Sequence, residues 1–202
     1  MIDLFAVFVA FFAVVDPVGT VPVFIAVTPN VDDRGKRRIA LIATLVAAAV
    51  LLFFVIAGEP ILTAMSIPLP AFQIAGGIVL FLFALSMIFG ESKPEEEIRL
   101  ATDHDQTAIF PLAVPSIASP GAMLAAVLMT ENKIYTVWEQ VQTAAVMLSV
   151  LVVAYLLMLA STHINRLVGQ SGASVISRVM GLILSSVATT NTLAGIKAYF
   201  EL

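Results

Sequence analysis

Two short stretches hold the residues that could do chemistry. One is Asp16-Pro17-Val18-Gly19-Thr20-Val21-Pro22, and the other is Pro115-Ser116-Ile117-Ala118-Ser119-Pro120-Gly121-Ala122; each interrupts a long apolar run. In both, a side chain able to cap a helix stands directly before a proline, Asp16 before Pro17 and Ser119 before Pro120. That order restarts a helix, because the cap accepts from the new first turn and proline at the first helical position has no donor to lose. A restarted helix presents backbone N–H groups and a positive dipole end, which suit a carboxylate. The half-helix before the break ends in open carbonyls, which suit an ammonium group. Gly19 and Gly121 keep side chains clear of both. A small zwitterion, an α-amino acid, satisfies both halves of such a receptor. The candidate substrate-binding residues are therefore Asp16, Pro17, Gly19, Thr20, Ser116, Ala118, Ser119, Pro120, Gly121 and Ala122.

Asp16 needs a reason to be where it is. An aspartate at the centre of a membrane-spanning helix costs about 2.5–3.5 kcal/mol on insertion scales. As a cap it would keep its charge and anchor the restarted helix. As a functional group it would bind the ligand ammonium or carry a proton. The capping role is the favoured reading, and a coupling proton or sodium ion stays open. Neither a cofactor nor a metal site is expected: His104 lies alone in an acidic linker.

The elements that must position these stretches follow from composition. Of 202 residues, 60% are hydrophobic and 12% charged, and the mean hydropathy is +1.03. A soluble domain carries roughly twice that charged fraction. Six apolar runs of near spanning length can be marked, at about 2–27, 39–57, 71–89, 108–129, 141–160 and 175–193. The chain is expected to be an all-α, multi-pass membrane protein forming one membrane domain over 1–202. The second run should end at Gly58-Glu59-Pro60, with Ile61–Leu69 lying at the outer interface or dipping in as a partial turn. Runs 1 and 4 are expected to be discontinuous, since proline and glycine at depth are tolerated only against protein or a water-filled cavity. The sixth run carries Ser185, Ser186, Thr189, Thr190, Asn191 and Thr192, part of which should face the bundle interior or a polar path.

Basic residues set the orientation. With the N-terminus outside, Arg34, Lys36, Arg37, Arg38, Lys93, Arg99, Arg166 and Arg178 fall inside, and only Lys133 and Lys197 fall outside. Both termini are thus expected outside the cytoplasmic (inner) membrane. The net charge of −4 comes mostly from the linker at 91–107 and points to no nucleic-acid partner.

That linker divides two related halves, 1–90 and 108–202. Ala13-Val14 recurs as Ala113-Val114, Thr28-Pro29-Asn30 as Thr130-Glu131-Asn132, Ile61 as Ile164, and Ile74-Ala75-Gly76-Gly77-Ile78 loosely as Val179-Met180-Gly181-Leu182-Ile183. The offset of roughly 100 to 105 fits a duplicated three-helix unit. Three spans per unit is odd, so the second copy enters from the opposite side. The expected architecture is two inverted three-helix repeats, with the site where discontinuous helices 1 and 4 meet near mid-membrane.

Asp16-Pro17-Val18-Gly19-Thr20-Val21-Pro22, Ala75-Gly76-Gly77, and Phe110-Pro111-Leu112-Ala113-Val114-Pro115 with Ser119-Pro120-Gly121 resemble the MarC family of bacterial and archaeal inner-membrane proteins. The resemblance covers nearly the whole chain. It implies a transporter of small neutral amino acids, since the family includes a branch moving glycine and alanine. Family members commonly carry a glycine where this chain has Ser119, which adds a hydroxyl beside the proposed pocket. The expected activity is secondary transport by alternating access; the alternative is a passive channel or an exporter of other small solutes. An enzyme is not expected. The chain has no cysteine, HExxH or nucleotide-binding loop, and only Asp16 is a deep acid.

Overall fold

A computed structural model describes residues 2–29, 31–89 and 108–201, without the side chains of 162–171 and 173. The expected linker at 91–107, with His104, lies outside the described residues. So do Asn30, Gly90 and the side chains of His163 and Arg166. Helices make up nearly all of what is described: α1 Leu4–Val15, α2 Pro17–Val27, α3 Asp33–Ala64, α4 Leu69–Phe89, α5 Ala108–Ile117, α6 Pro120–Leu128, α7 Val137–Leu159 and α8 Ser161–Tyr199.

Five stretches are long and apolar enough to cross a membrane, α1 with α2 counting as one from Leu4 to Val27. The pair α5–α6, bent by 56°, makes a sixth if it counts as one span. The bent pair packs on α3 along both of its parts. The Asn132 amide, after α6, donates to Glu59 Oε2 at 2.7 Å near the end of α3. That bond places the loop after α6 beside the last turns of α3.

Two boundaries differ from the sequence reading. α3 does not stop at Gly58-Glu59-Pro60 but runs on to Ala64 with Pro60 inside it. Proline removes one ladder bond, and in a packed membrane helix neighbouring groups make good that loss. Ile61–Leu69 is therefore not a separate interfacial piece. It is the last turn of α3 plus a tight turn, with Ser66 at φ 58°, leading into α4. The sixth run is longer than expected, extending from Ser161 to Tyr199.

The core is built where helices approach closely. α4 and α8 run antiparallel in contact along much of their lengths. A Cβ on Gly195 would lie 3.0 Å from the Pro70 carbonyl, one on Gly77 3.0 Å from the Ala188 carbonyl, and one on Gly181 3.0 Å from the Ala84 carbonyl. Small residues permit this, and dispersion between the two backbones replaces the missing hydrophobic drive in lipid. Phe11, Phe24, Leu51, Leu112, Ile117 and Met147 fill the centre. Outward, Phe5, Phe53, Ile56, Leu82, Leu156 and Leu182 are exposed, an apolar belt that suits lipid and not water. Exposed Trp138 and Tyr199 stand at the face where α1 begins, as aromatic residues do at a membrane interface.

The polar stripe on α8 divides, and Ser185, Asn191 and Thr192 are half-buried, as expected of a part of it. Ser186, Thr189 and Thr190 are exposed, and each donates to a carbonyl one turn back on its own helix, at 3.1, 2.8 and 2.9 Å. A hydroxyl satisfied that way can face lipid at little cost. No polar path is required to accommodate these three.

Candidate functional site

The first interruption consists of a single residue. Asp16 takes a left-handed conformation, φ 49° and ψ 65°, between α1 and α2. Its carboxylate Oδ1 accepts from the Gly19 amide at 3.0 Å, making it the cap of α2, with Pro17 in the first turn. The Asp16 amide donates to the Phe12 carbonyl, and the Thr20 amide donates to the Asp16 carbonyl, both at 3.1 Å. The first bond closes α1 and the second opens α2, so Asp16 is the shared cap of two helices that together make up the stretch Leu4–Val27, long and apolar enough to cross a membrane. Gly19 serves that geometry, since a Cβ there would fall on the Asp16 carboxylate. The glycine makes room for the cap; it does not hold open a space for a ligand.

The second interruption is larger, and its cause is legible in the residues. Phe110 and Val114 precede Pro111 and Pro115, and proline pushes its predecessor out of the helical region. Both lie in extended conformation, φ −130° ψ 125° and φ −135° ψ 124°. Between them the chain makes wide turns, with the Ala118 amide donating to the Ala113 carbonyl at 2.8 Å. Ser119 then caps α6, accepting from the Ala122 amide at 3.1 Å, with Pro120 in the first turn.

The two interruptions meet. The Ser119 hydroxyl donates to the Val14 carbonyl at 2.6 Å, and the Thr20 and Ser116 hydroxyls pair at 3.3 Å. Thr20 also donates to the Asp16 carbonyl at 3.1 Å. All ten candidate residues are thereby gathered in one region; Pro120 is half-buried and the other nine are buried. The region is tightly filled. A Cβ on Gly121 would come within 2.6 Å of Leu80 and 3.4 Å of Val14. Of the carbonyls at the end of α1, which were expected to be open, that of Val14 accepts from Ser119. Among the described residues no cluster of three or more histidine, cysteine or acidic side chains could hold a metal ion.

Sequence reasoning missed the lock at the N-terminal face. Glu59 is tied to the Asn132 amide, and Gln140 Nε2 donates to the Asn132 side chain at 3.0 Å. Beside it a recess of about 340 Å³ is lined by Glu59, Ser66, Glu131 and Lys133. Burial raises the Glu131 pKa, the charge of Glu59 raises it further, and Lys133 lowers it in part. The recurrence of Thr28-Pro29-Asn30 as Thr130-Glu131-Asn132 pointed at this loop, but not at its partner on α3.

An all-helical bundle with an apolar outer belt, broken spans and buried hydroxyls meeting at its centre defines a multi-pass integral membrane protein. The comparisons agree and narrow it. The MarC family integral membrane protein description matches residues 1–200, and the chain belongs to that family. A UPF0056 membrane protein of Methanocaldococcus jannaschii is 34% identical over 193 residues, covering 94% of each chain. One from Aquifex aeolicus is 32% identical over 194 residues, covering 94% of this chain and 90% of its own. One from Buchnera aphidicola is 29% identical over 202 residues, covering 98% and 95%. No solved structure matches the chain.

Proposed function

We propose that this protein is a secondary transporter of small neutral amino acids such as glycine and alanine. It acts in the cytoplasmic membrane by alternating access, with both termini outside. The observation that carries the reading is the direct contact between the two interruptions, Thr20 on Ser116 and Ser119 on Val14, in the buried centre of a membrane bundle. Polar side chains at that depth face one another rather than lipid, and they come from the two halves of the chain. Parting them would expose three hydroxyls, a carbonyl and two capped helix starts, a set suited to a zwitterion.

An inverted duplication underlies the arrangement. Thr28 and Thr130 close the two broken spans alike: each hydroxyl donates to the carbonyl four residues back at 2.6 Å. Each amide donates three residues back at 3.3 Å. Counterparts also meet: α1–α2 packs on α5–α6, α3 on α7, and α4 on α8. A two-fold axis in the membrane plane brings counterparts together in this way. The filled centre is then the closed form, and substrate enters as Thr20 and Ser116 separate.

Uptake of labelled glycine and alanine into proteoliposomes tests the reading. Wild type should accumulate both, and Thr20→Val with Ser116→Ala should lower uptake at least tenfold while the protein remains monodisperse. Asp16→Asn separates coupling from capping, since only a proton-carrying Asp16 would lose proton dependence on that change. Uptake indistinguishable from empty liposomes would overturn the assignment. Uptake that persists with every gradient dissipated and never exceeds equilibrium would favour a passive channel.

A further inference from the structure

We infer that the start of α3 carries a binding site for the headgroup of an anionic phospholipid, formed by Arg34, Arg37 and Arg38 and apart from the central interruptions. The three residues lie in the opening turns of α3, and Arg38 directly precedes the apolar run that begins at Ile39. They therefore stand at headgroup depth, with the hydrocarbon-crossing part of the helix immediately beyond.

Their side of the helix supplies the reason to regard them as a site. Arg34, Arg37 and Arg38 are exposed and follow the i, i+3, i+4 spacing of a single helix face. That face continues into Leu41 and Leu45, both exposed on the apolar belt. On the opposite side Ala40, Ala43 and Ala47 are completely buried against the bundle. The three arginines thus share the lipid-facing stripe and not the protein-facing one. They span about 6 Å along the axis, close enough together to meet one headgroup.

Charge sets the ligand class. Among the described residues none of the three arginines makes an ion pair or a hydrogen bond through its side chain. Asp32 is committed to the helix, its Oδ1 accepting from the Gly35 amide at 2.9 Å, and Asp33 is the other acid of the stretch. With Lys36 counted, four basic against two acidic side chains leave a charge of +2 over residues 32–38. The cluster also stands at the positive end of the α3 dipole, where a cation is disfavoured and an anion favoured. A phosphate group answers both, and guanidinium forks pair with its oxygens two at a time. Acyl chains hanging from that phosphate would lie along Leu41 and Leu45. A headgroup that carries its own cation gains less, so the class is a lipid of net negative headgroup, such as phosphatidylglycerol. The site stands on this geometry and not on the transport reading; only the leaflet, the cytoplasmic one, follows from the orientation proposed above.

Orientation by basic residues needs only their charge, whereas this site needs forked donors, and that difference gives the test. The purified full chain is melted in maltoside micelles doped with dioleoylphosphatidylglycerol or with dioleoylphosphatidylcholine. The anionic lipid should raise the thermal midpoint above that in the zwitterionic one. Changing Arg34, Arg37 and Arg38 together to Gln should remove at least two thirds of that rise, and changing all three to Lys should remove at least half. Arg178→Gln, at an exposed arginine on α8, should leave the rise intact. If the triple Gln variant does not fold, the three single Arg→Gln variants should each remove part of the rise. No rise in wild type, or a full rise in the Gln variants, overturns the proposal. A Lys variant equal to wild type would show diffuse charge attraction only, and also overturns it. Glycerol phosphate, which has the headgroup anion without acyl chains, should have no effect at the same concentration. An equal rise with it would assign a soluble anion and remove the lipid.

Discussion

The Ser119 hydroxyl donates to the Val14 carbonyl at 2.6 Å, joining residues 105 positions apart. The same oxygen accepts from the Ala122 amide and caps α6. One side chain thus closes two gaps: a donor at the start of α6 and an acceptor near the end of α1. Loss of a helix cap costs about 1 kcal/mol, and a buried carbonyl left without a partner costs about 1–3 kcal/mol more. Ser119→Ala should therefore lower the thermal midpoint of the purified protein clearly. Ser119→Thr, which retains the hydroxyl, should recover most of the loss. If Ser119→Ala melts with wild type, the cross-chain bond contributes nothing.

Asp16 combines a cap with a left-handed backbone, and the two demands can be separated. Asparagine tolerates positive φ and keeps an acceptor oxygen, so Asp16→Asn should stay close to wild type in stability. Alanine loses both the cap and the tolerance, and Asp16→Ala should cost about 2–3 kcal/mol. Gly19→Ala should be damaging as well, because its Cβ would fall on the carboxylate itself. Unfolding in a mixed-micelle titration would rank the three. An order in which Asp16→Asn is the worst would show that charge, not geometry, holds the first interruption.

Much of this arrangement could be read from residue order. Asp16-Pro17 and Ser119-Pro120 announce caps followed by helix starts, and both form. Phe110 and Val114 stand before prolines, and both leave the helical region. What stayed hidden was the fate of the polar groups. Nothing in the sequence says that the Val14 carbonyl is taken by Ser119, or that Gly19 is filled by its own neighbour's carboxylate, because those depend on which backbones approach. Helix ends were also misjudged. Pro60 suggests an end to α3, yet the helix continues, since packing of Gly58 against Val127 fixes the segment whatever the local propensity. Part of the α8 polar stripe was expected to face the bundle interior or a polar path; Ser185, Asn191 and Thr192 are half-buried, and intrahelical bonds satisfy the exposed Ser186, Thr189 and Thr190.

The α4–α8 contact yields a prediction independent of any transport reading. A Cβ at Gly77 would meet the Thr192 hydroxyl and lie 3.0 Å from the Ala188 carbonyl. Backbone cannot yield as a flexible side chain can, so Gly77→Ala should cost about 1–3 kcal/mol as overpacking. At Gly76 the neighbour is the Leu124 side chain, at 2.5 Å, which can rotate away. Gly76→Ala should be the milder change of two adjacent and chemically identical substitutions. Thermal midpoints of the pair decide it, and equal losses would contradict the backbone contact.

The lock at the N-terminal face should respond to pH with a definite sign. Burial is the main cause raising the Glu131 pKa above its ordinary 4.5, and the neighbouring Glu59 charge adds to it. The folded protein therefore holds this proton more tightly than the unfolded chain does. Between 4.5 and the raised value the unfolded state binds fewer protons, so stability falls as pH rises through that window. The contribution is complete below 4.5 and gone above the raised pKa. Glu131→Gln mimics the protonated form and removes the repulsion from Glu59. At neutral pH the variant should melt above wild type, and the gap should narrow as pH falls through the window. Glu59→Gln should lower the Glu131 pKa toward its ordinary value while weakening the bond to the Asn132 amide, so its effect on stability is mixed. Thermal midpoints of wild type and Glu131→Gln from pH 4 to pH 8 provide the measurement. A gap that stays constant across that range would show that the Glu131 pKa is not raised in the folded protein.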